Sequence, residues 1–168
     1  MPVSLHQITV PVFVRHLNGL ANCMKKAQAL YTEKKYDEAT LLAYRLYPDM
    51  FSFTQQVQFT TNHARNCAAL LAGVEAPKVE DGEKSLADLI ARVEKTAAWL
   101  GTLKPDQIDG SEEKSVTVKM RDREMTFKGL ELVLNRSMPN FFFHCTTAYD
   151  IMRHNGVELG KRDFMGAG

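Results

Sequence analysis

The stretch Pro139–Gly166 reads PNFFFHCTTAYDIMRHNGVELGKRDFMG and carries the pattern of one long, strongly apolar helix. A proline suits the first turn of a helix, where its missing N–H has no partner to lose. Asn140 and His144 are four residues apart, so a helix stacks them on one face. Phe141, Phe142 and Phe143 step about 100° each and spread apolar bulk over most of the remaining circumference. Such a helix is expected to be buried nearly all round. Arg153 and His154 suit the negative end of the helix dipole, and Asn155-Gly156 supplies the stop. A polar pair on so apolar a helix either satisfies itself in the core or works there.

Working outward, three more helices are legible. The first is expected from Val10 to Glu33, with apolar residues at Val10, Phe13, Leu17, Leu20, Met24, Ala27 and Tyr31 in sustained 3-and-4 spacing. Thr9 is its expected N-cap, and His16 falls at the edge of the stripe. Lys34–Asp49 reads as a connection holding a short helix over Ala39–Leu46, with Leu42 and Leu46 facing inward. Ser52 and Gln55 form a capping-box pattern ahead of the second long helix, which Gly73 stops. Its inner stripe is Phe53, Val57, Thr60, Ala64, Cys67, Ala68 and Leu71. A polar line, Gln56, Thr60, His63 and Cys67, runs beside it. Ser85 caps a third helix whose inner face is Leu86, Leu89, Ile90, Val93, Ala97 and Leu100. Trp99, the one tryptophan, lies off that face and suits a helix seam or an intermolecular contact.

The period then changes from 3.6 to 2. Val116, Val118, Met125 and Phe127 alternate with polar residues, predicting a β-hairpin that ends at Gly129. Leu130–Met138 reads as a short helix or an extended lead-in. The sum is all-α: one domain over residues 1–168, an up-and-down-like four-helix bundle with a small β-hairpin inserted before the last helix.

Composition narrows the function classes. A net charge of +1 without basic blocks predicts neither nucleic acid nor an acidic membrane surface as partner. Cys23, Cys67 and Cys145 are odd in number and widely spaced, which argues against a disulfide framework and for a reducing compartment. The opening MPVSLHQITVPVFVRHL has no basic region ahead of an apolar run, so neither a signal peptide nor a membrane span is expected, and the expected compartment is the cytoplasm. No phosphate-binding loop, dinucleotide fingerprint, GxSxG or HExxH occurs.

The remaining chemistry sits on two helices. His63 comes from the second, and Asn140, His144 and Thr147 form a polar line on the last. Two imidazoles and an amide oxygen are a donor set for a divalent first-row metal, with water completing the shell. Gln56 and Thr147 are the expected supporting groups. The same residues equally suit a satisfied core network.

The quoted C-terminal stretch, RLYPDMFSFTQQVQF from Arg45 to Phe59, and VPVFVRHLNGL from Val10 to Leu20 resemble domain-of-unknown-function family nineteen-ninety-three, within the DinB/YfiT-like superfamily of four-helix bundles. The resemblance spans essentially the whole chain. It implies a metal held by three histidines, one from the second helix and an H-x-x-x-H pair from the last. In this chain His63 is the second-helix counterpart, and the last-helix pair reads Asn140 and His144, with an amide in place of the first imidazole. An amide oxygen is the weaker ligand for zinc or nickel.

The resemblance implies a metal-dependent hydrolase or thiol-group transferase using His63, Asn140 and His144. The alternative is a non-catalytic bundle that binds a small ligand or protein partner, with the polar residues structural. A homodimer is expected, because Trp99 and the apolar last helix offer more apolar surface than one small bundle covers.

Overall fold

The computed structural model describes residues 3–120 and 122–166. Four long helices carry the core: α1 (Val10–Lys34), α3 (Phe53–Ala72), α4 (Leu86–Leu100) and α7 (Met138–His154). Between them lie the short helices α2 (Glu38–Ala43), α5 (Pro105–Ile108) and α6 (Gly129–Leu132), and α8 (Lys161–Phe164) follows α7. The helices form a ring in which α1 packs on α4 and α7, and α3 packs on α4 and α7. Thus α1 and α3, consecutive long helices, lie across a diagonal and scarcely touch. Simple up-and-down order does not produce this. The connection from Lys35 to Ser52 must cross one end of the bundle, which is why it is long enough to hold α2 and the Tyr44–Phe51 loop.

The apolar stripes are where their spacing places them. Phe13, Phe53 and Phe141 are fully buried, and the Phe13 and Phe141 rings meet at 4.8 Å between α1 and α7. Every residue of the α3 and α4 inner stripes is buried. The α3 N-terminus is capped in both directions: the Ser52 hydroxyl accepts from the Gln55 amide, and the Gln55 side chain accepts from the Ser52 N–H at 3.0 Å. Gly73 closes α3 at φ 68°, a left-handed position that Gly takes without a Cβ clash.

Three local expectations fail for physical reasons. Thr9 occupies the N-cap of α1 but has helical dihedrals and makes no cap; its hydroxyl donates instead to Leu5 O at 2.7 Å, because residues 5–9 already form a turn. The short helix ends at Ala43, so Leu46 falls outside it and is exposed, while Leu42 is buried. The last helix is not buried all round. Phe141 is fully buried and Phe142 partly so, but Phe143 is 56% exposed, because the ring leaves the outer face of α7 open.

The hairpin is β1 (Ser115–Lys119) and β2 (Glu124–Lys128), antiparallel with Val116 opposite Phe127 and Val118 opposite Met125. Val116 is buried; Val118 and Phe127 pack against the core. The strand pair is fixed to the bundle through Gly129, where an added Cβ would lie 2.1 Å from Ser111 O. After α6 the chain makes a π-helical turn, Val133–Ser137, with the Met138 amide bonded to Val133 O. Leu130–Met138 is therefore helical rather than extended, and Pro139 sits in the first turn of α7. Among the described residues no helix is long and apolar enough to cross a membrane.

Candidate functional site

The fold brings His63 and His144 together across the α3–α7 seam. Their ring centroids are 5.5 Å apart and their planes nearly parallel, at 10°. His144 is buried, and His63 is half-buried. The Nδ1 of His144 meets Gln56 Oε1 at 2.7 Å. An amide oxygen only accepts, so Nδ1 carries the proton and Nε2 is left with its lone pair. Gln56 is held in turn, its Nε2 donating to Phe51 O at 3.3 Å. That carbonyl is placed by the loop before α3, where Arg45 Nη1 donates to Met50 O and Arg45 pairs with Ser52 as an isolated bridge.

Aromatic rings wall the pair. Phe59 stacks on His144 at 5.1 Å and on Phe51 at 4.6 Å, and Phe143 meets His144 edge-on at 5.2 Å. Beside them a cavity of about 220 Å³ is lined by Asp49, Met50, Phe51, Gln56, Phe143 and His144.

The electrostatics make the imidazoles neutral. Burial pushes His63 from 6.5 down to about 4, helped by His144 and the Arg136 guanidinium, and burial also lowers His144. Desolvation disfavours the charged ring, and a second imidazole beside it disfavours it further. The thiols are equally inactive as anions. Burial pushes Cys23 up to about 11 and Cys67 and Cys145 up to about 12, so none is a thiolate near neutral pH.

The expected residues divide. His63 and His144 converge. Asn140 lies one turn before His144 on α7; its Nδ2 donates to Arg136 O at 2.7 Å, leaving Oδ1 as the free acceptor. Thr147 does not join: its hydroxyl donates to Phe143 O at 2.7 Å within its own helix. Thr60 does likewise to Gln56 O at 2.8 Å. Gln56, expected as a supporting group, is buried and contacts His144 directly.

Sequence reasoning missed Phe51, Phe59 and Arg136. The Phe59–His63 pair at i, i+4 was the available signal for one of them.

Tested against a divalent metal, the donor set falls short. It offers two converging imidazoles beside the cation Arg136, with the Asn140 amide one helical turn from His144. Among the described residues no cluster of three or more His, Cys, Asp or Glu could hold an ion. Protein zinc sites ordinarily present at least three nitrogen, sulfur or carboxylate ligands.

Comparison with known proteins places the chain. The family model described as Domain of unknown function (DUF1993) matches residues 5–165. A solved structure, described as a DinB family member protein from Shewanella denitrificans, is 34% identical, covering 98% of this chain and 93% of that one, with a TM-score of 0.86. No curated protein matches.

Proposed function

The chain belongs to the DUF1993 family, and from that premise we propose that it is a small-molecule-binding bundle of the DinB-like kind, using a neutral imidazole as its recognition group. One observation carries the reading: Gln56 fixes the His144 tautomer at 2.7 Å, beside a cavity walled by Phe51 and Phe143. A cavity of about 220 Å³ suits a single small aromatic molecule, since an apolar cavity of ~150 Å³ already takes benzene. The unprotonated Nε2 supplies an acceptor, so the ligand class is a small aromatic or apolar molecule with one hydroxyl or N–H donor. In such pockets a few placed polar groups orient a ligand that apolar walls bind.

The second reading is the metal-dependent hydrolase or thiol-group transferase, with zinc or nickel on His63, Asn140 and His144. Its support is the 5.5 Å approach of the two rings and the Gln56 hydrogen bond, the kind of partner that orients a metal-ligating histidine. The shortage of donors and the neighbouring Arg136 weigh against it.

Titrating phenol while following the histidine ring protons by NMR tests the first reading. Saturable shifts of the His144 and His63 resonances, weakened in Gln56→Ala, are the expected result. Shifts confined to other residues would overturn it.

For assembly we propose a homodimer through the exposed aromatic patch of Tyr47, Phe51 and Phe143, which are 66%, 42% and 56% exposed. The reading for location is a cytoplasmic protein without nucleic-acid or membrane partners. It is supported by the near-neutral charge and the three thiols, all free in the structure.

A further inference from the structure

Away from the histidine cleft, α3, α4 and residues 77–80 line a second cavity of about 290 Å³. Arg65 and Arg92 lie side by side in its wall, both buried. Their partners are unequally divided. Arg92 takes both carboxylates, Asp81 at 2.9 Å and Glu83 at 2.7 Å, and its Nε donates to Thr61 Oγ1 at 2.8 Å. Arg65 is left with Asn62 Oδ1 at 2.9 Å, an acceptor it shares with Arg92. Its Nε and Nη1 are shielded from water and have no partner among the described residues. A buried guanidinium with unused N–H groups is rare, because the lost hydration is uncompensated. It leaves Arg65 with donor capacity that the chain does not itself use.

The surroundings say which acceptor. Counting the two acids that bridge Arg92, the site sets Arg65, Arg92, Lys78 and Lys95 against Glu80, Asp81 and Glu83, an excess of one positive charge. The rest of the wall includes Pro77, Val79 and Trp99. An anion is favoured by the charge, and an apolar body by the ring and the aliphatic groups. Buried arginine is the side chain best suited to carboxylate recognition.

We propose that this cavity binds a small carboxylate with an apolar or aromatic body, the Arg65 guanidinium turning toward the cavity so that its unused N–H groups, shielded in this structure, donate to the carboxylate, and the body packing on Trp99. The site is independent of the His63–His144 reading.

Trp99 is the only tryptophan, so intrinsic fluorescence reports from the cavity wall itself. Benzoate is the probe and benzamide its neutral counterpart, titrated into the intact protein. The expected result is a saturable change in Trp99 emission with benzoate, at least about tenfold weaker with benzamide and weakened by added salt.

Arg65→Met should cost benzoate at least about tenfold in affinity, the scale of a lost charge-assisted hydrogen bond. Lys95→Gln changes an exposed side chain and retains the fold; it should weaken benzoate several-fold and keeps the test open should Arg65→Met fail to fold. Equal affinity for benzoate and benzamide, or no saturable change up to about 10 mM, a concentration that spans very weak binding, would overturn the proposal.

Discussion

At the residue scale the decisive groups are Gln56, His63 and His144. Truncating Gln56 to Ala strands the buried His144 Nδ1–H, which should lower stability by about 1–3 kcal/mol in urea unfolding. His63 gives the fold a pH dependence of fixed sign. Its imidazole titrates near 6.5 in the unfolded chain and near 4 in the folded one. Between those values the unfolded chain holds the proton and the folded chain does not. Stability is therefore level above about pH 6.5 and falls as pH drops toward 4, by at most about 3 kcal/mol from this group. His63→Leu should flatten that slope in denaturant titrations at pH 7.5 and 4.5; an unchanged slope would show that other groups carry it. Both histidines and Gln56 stood out in the sequence, because polar residues beside an apolar helical stripe are conspicuous. Which of them touch was not legible, since His63 and Gln56 lie about eighty residues or more from His144 and the helix rotation decides the pairing. Thr147 illustrates the limit: its register is right, but its hydroxyl bonds the carbonyl one turn back, a local option open to any helical threonine.

At the element scale, stops and caps were the most legible features, because they are set by a few adjacent residues. The capping box at Ser52 and Gln55 is present in both directions, and Ser52→Ala should cost about 1 kcal/mol in thermal or urea unfolding. The hairpin was legible from alternation alone. What pins it was not: Gly129 sits where a Cβ would meet Ser111 O at 2.1 Å, a contact between segments eighteen residues apart in sequence. Backbone cannot withdraw as a side-chain end can. Gly129→Ala should therefore rank among the most destabilising single changes, at roughly 3 kcal/mol or more, and an effect within 0.5 kcal/mol would contradict the packing described. The failures at Leu46 and Phe143 have different causes. The helix expected to carry Leu46 stops at Ala43, whereas Phe143 lies within α7 on a face that its neighbours leave largely uncovered; helical periodicity shows which residues share a face, not whether that face is covered.

At the scale of the whole molecule, the diagonal placement of α1 and α3 brings α3 and α7 face to face and so creates the histidine cleft. That ring order follows from long-range packing rather than from any one segment, and the periodicity of the four helices alone does not specify it. The exposed aromatic patch leads to an expected dimer mass by light scattering at tens of micromolar, roughly the range of weak dimers; only monomer there would remove the assembly proposal. As proposed above, the cleft is a neutral binding site rather than a metal centre. Elemental analysis of protein purified without an affinity tag, followed by zinc and nickel titration, separates the two. The account predicts well under about 0.1 equivalents of metal retained and no affinity that His144→Ala alters, since two imidazoles and an amide are too few donors. About one equivalent of zinc or nickel, lost in His144→Ala, would contradict it.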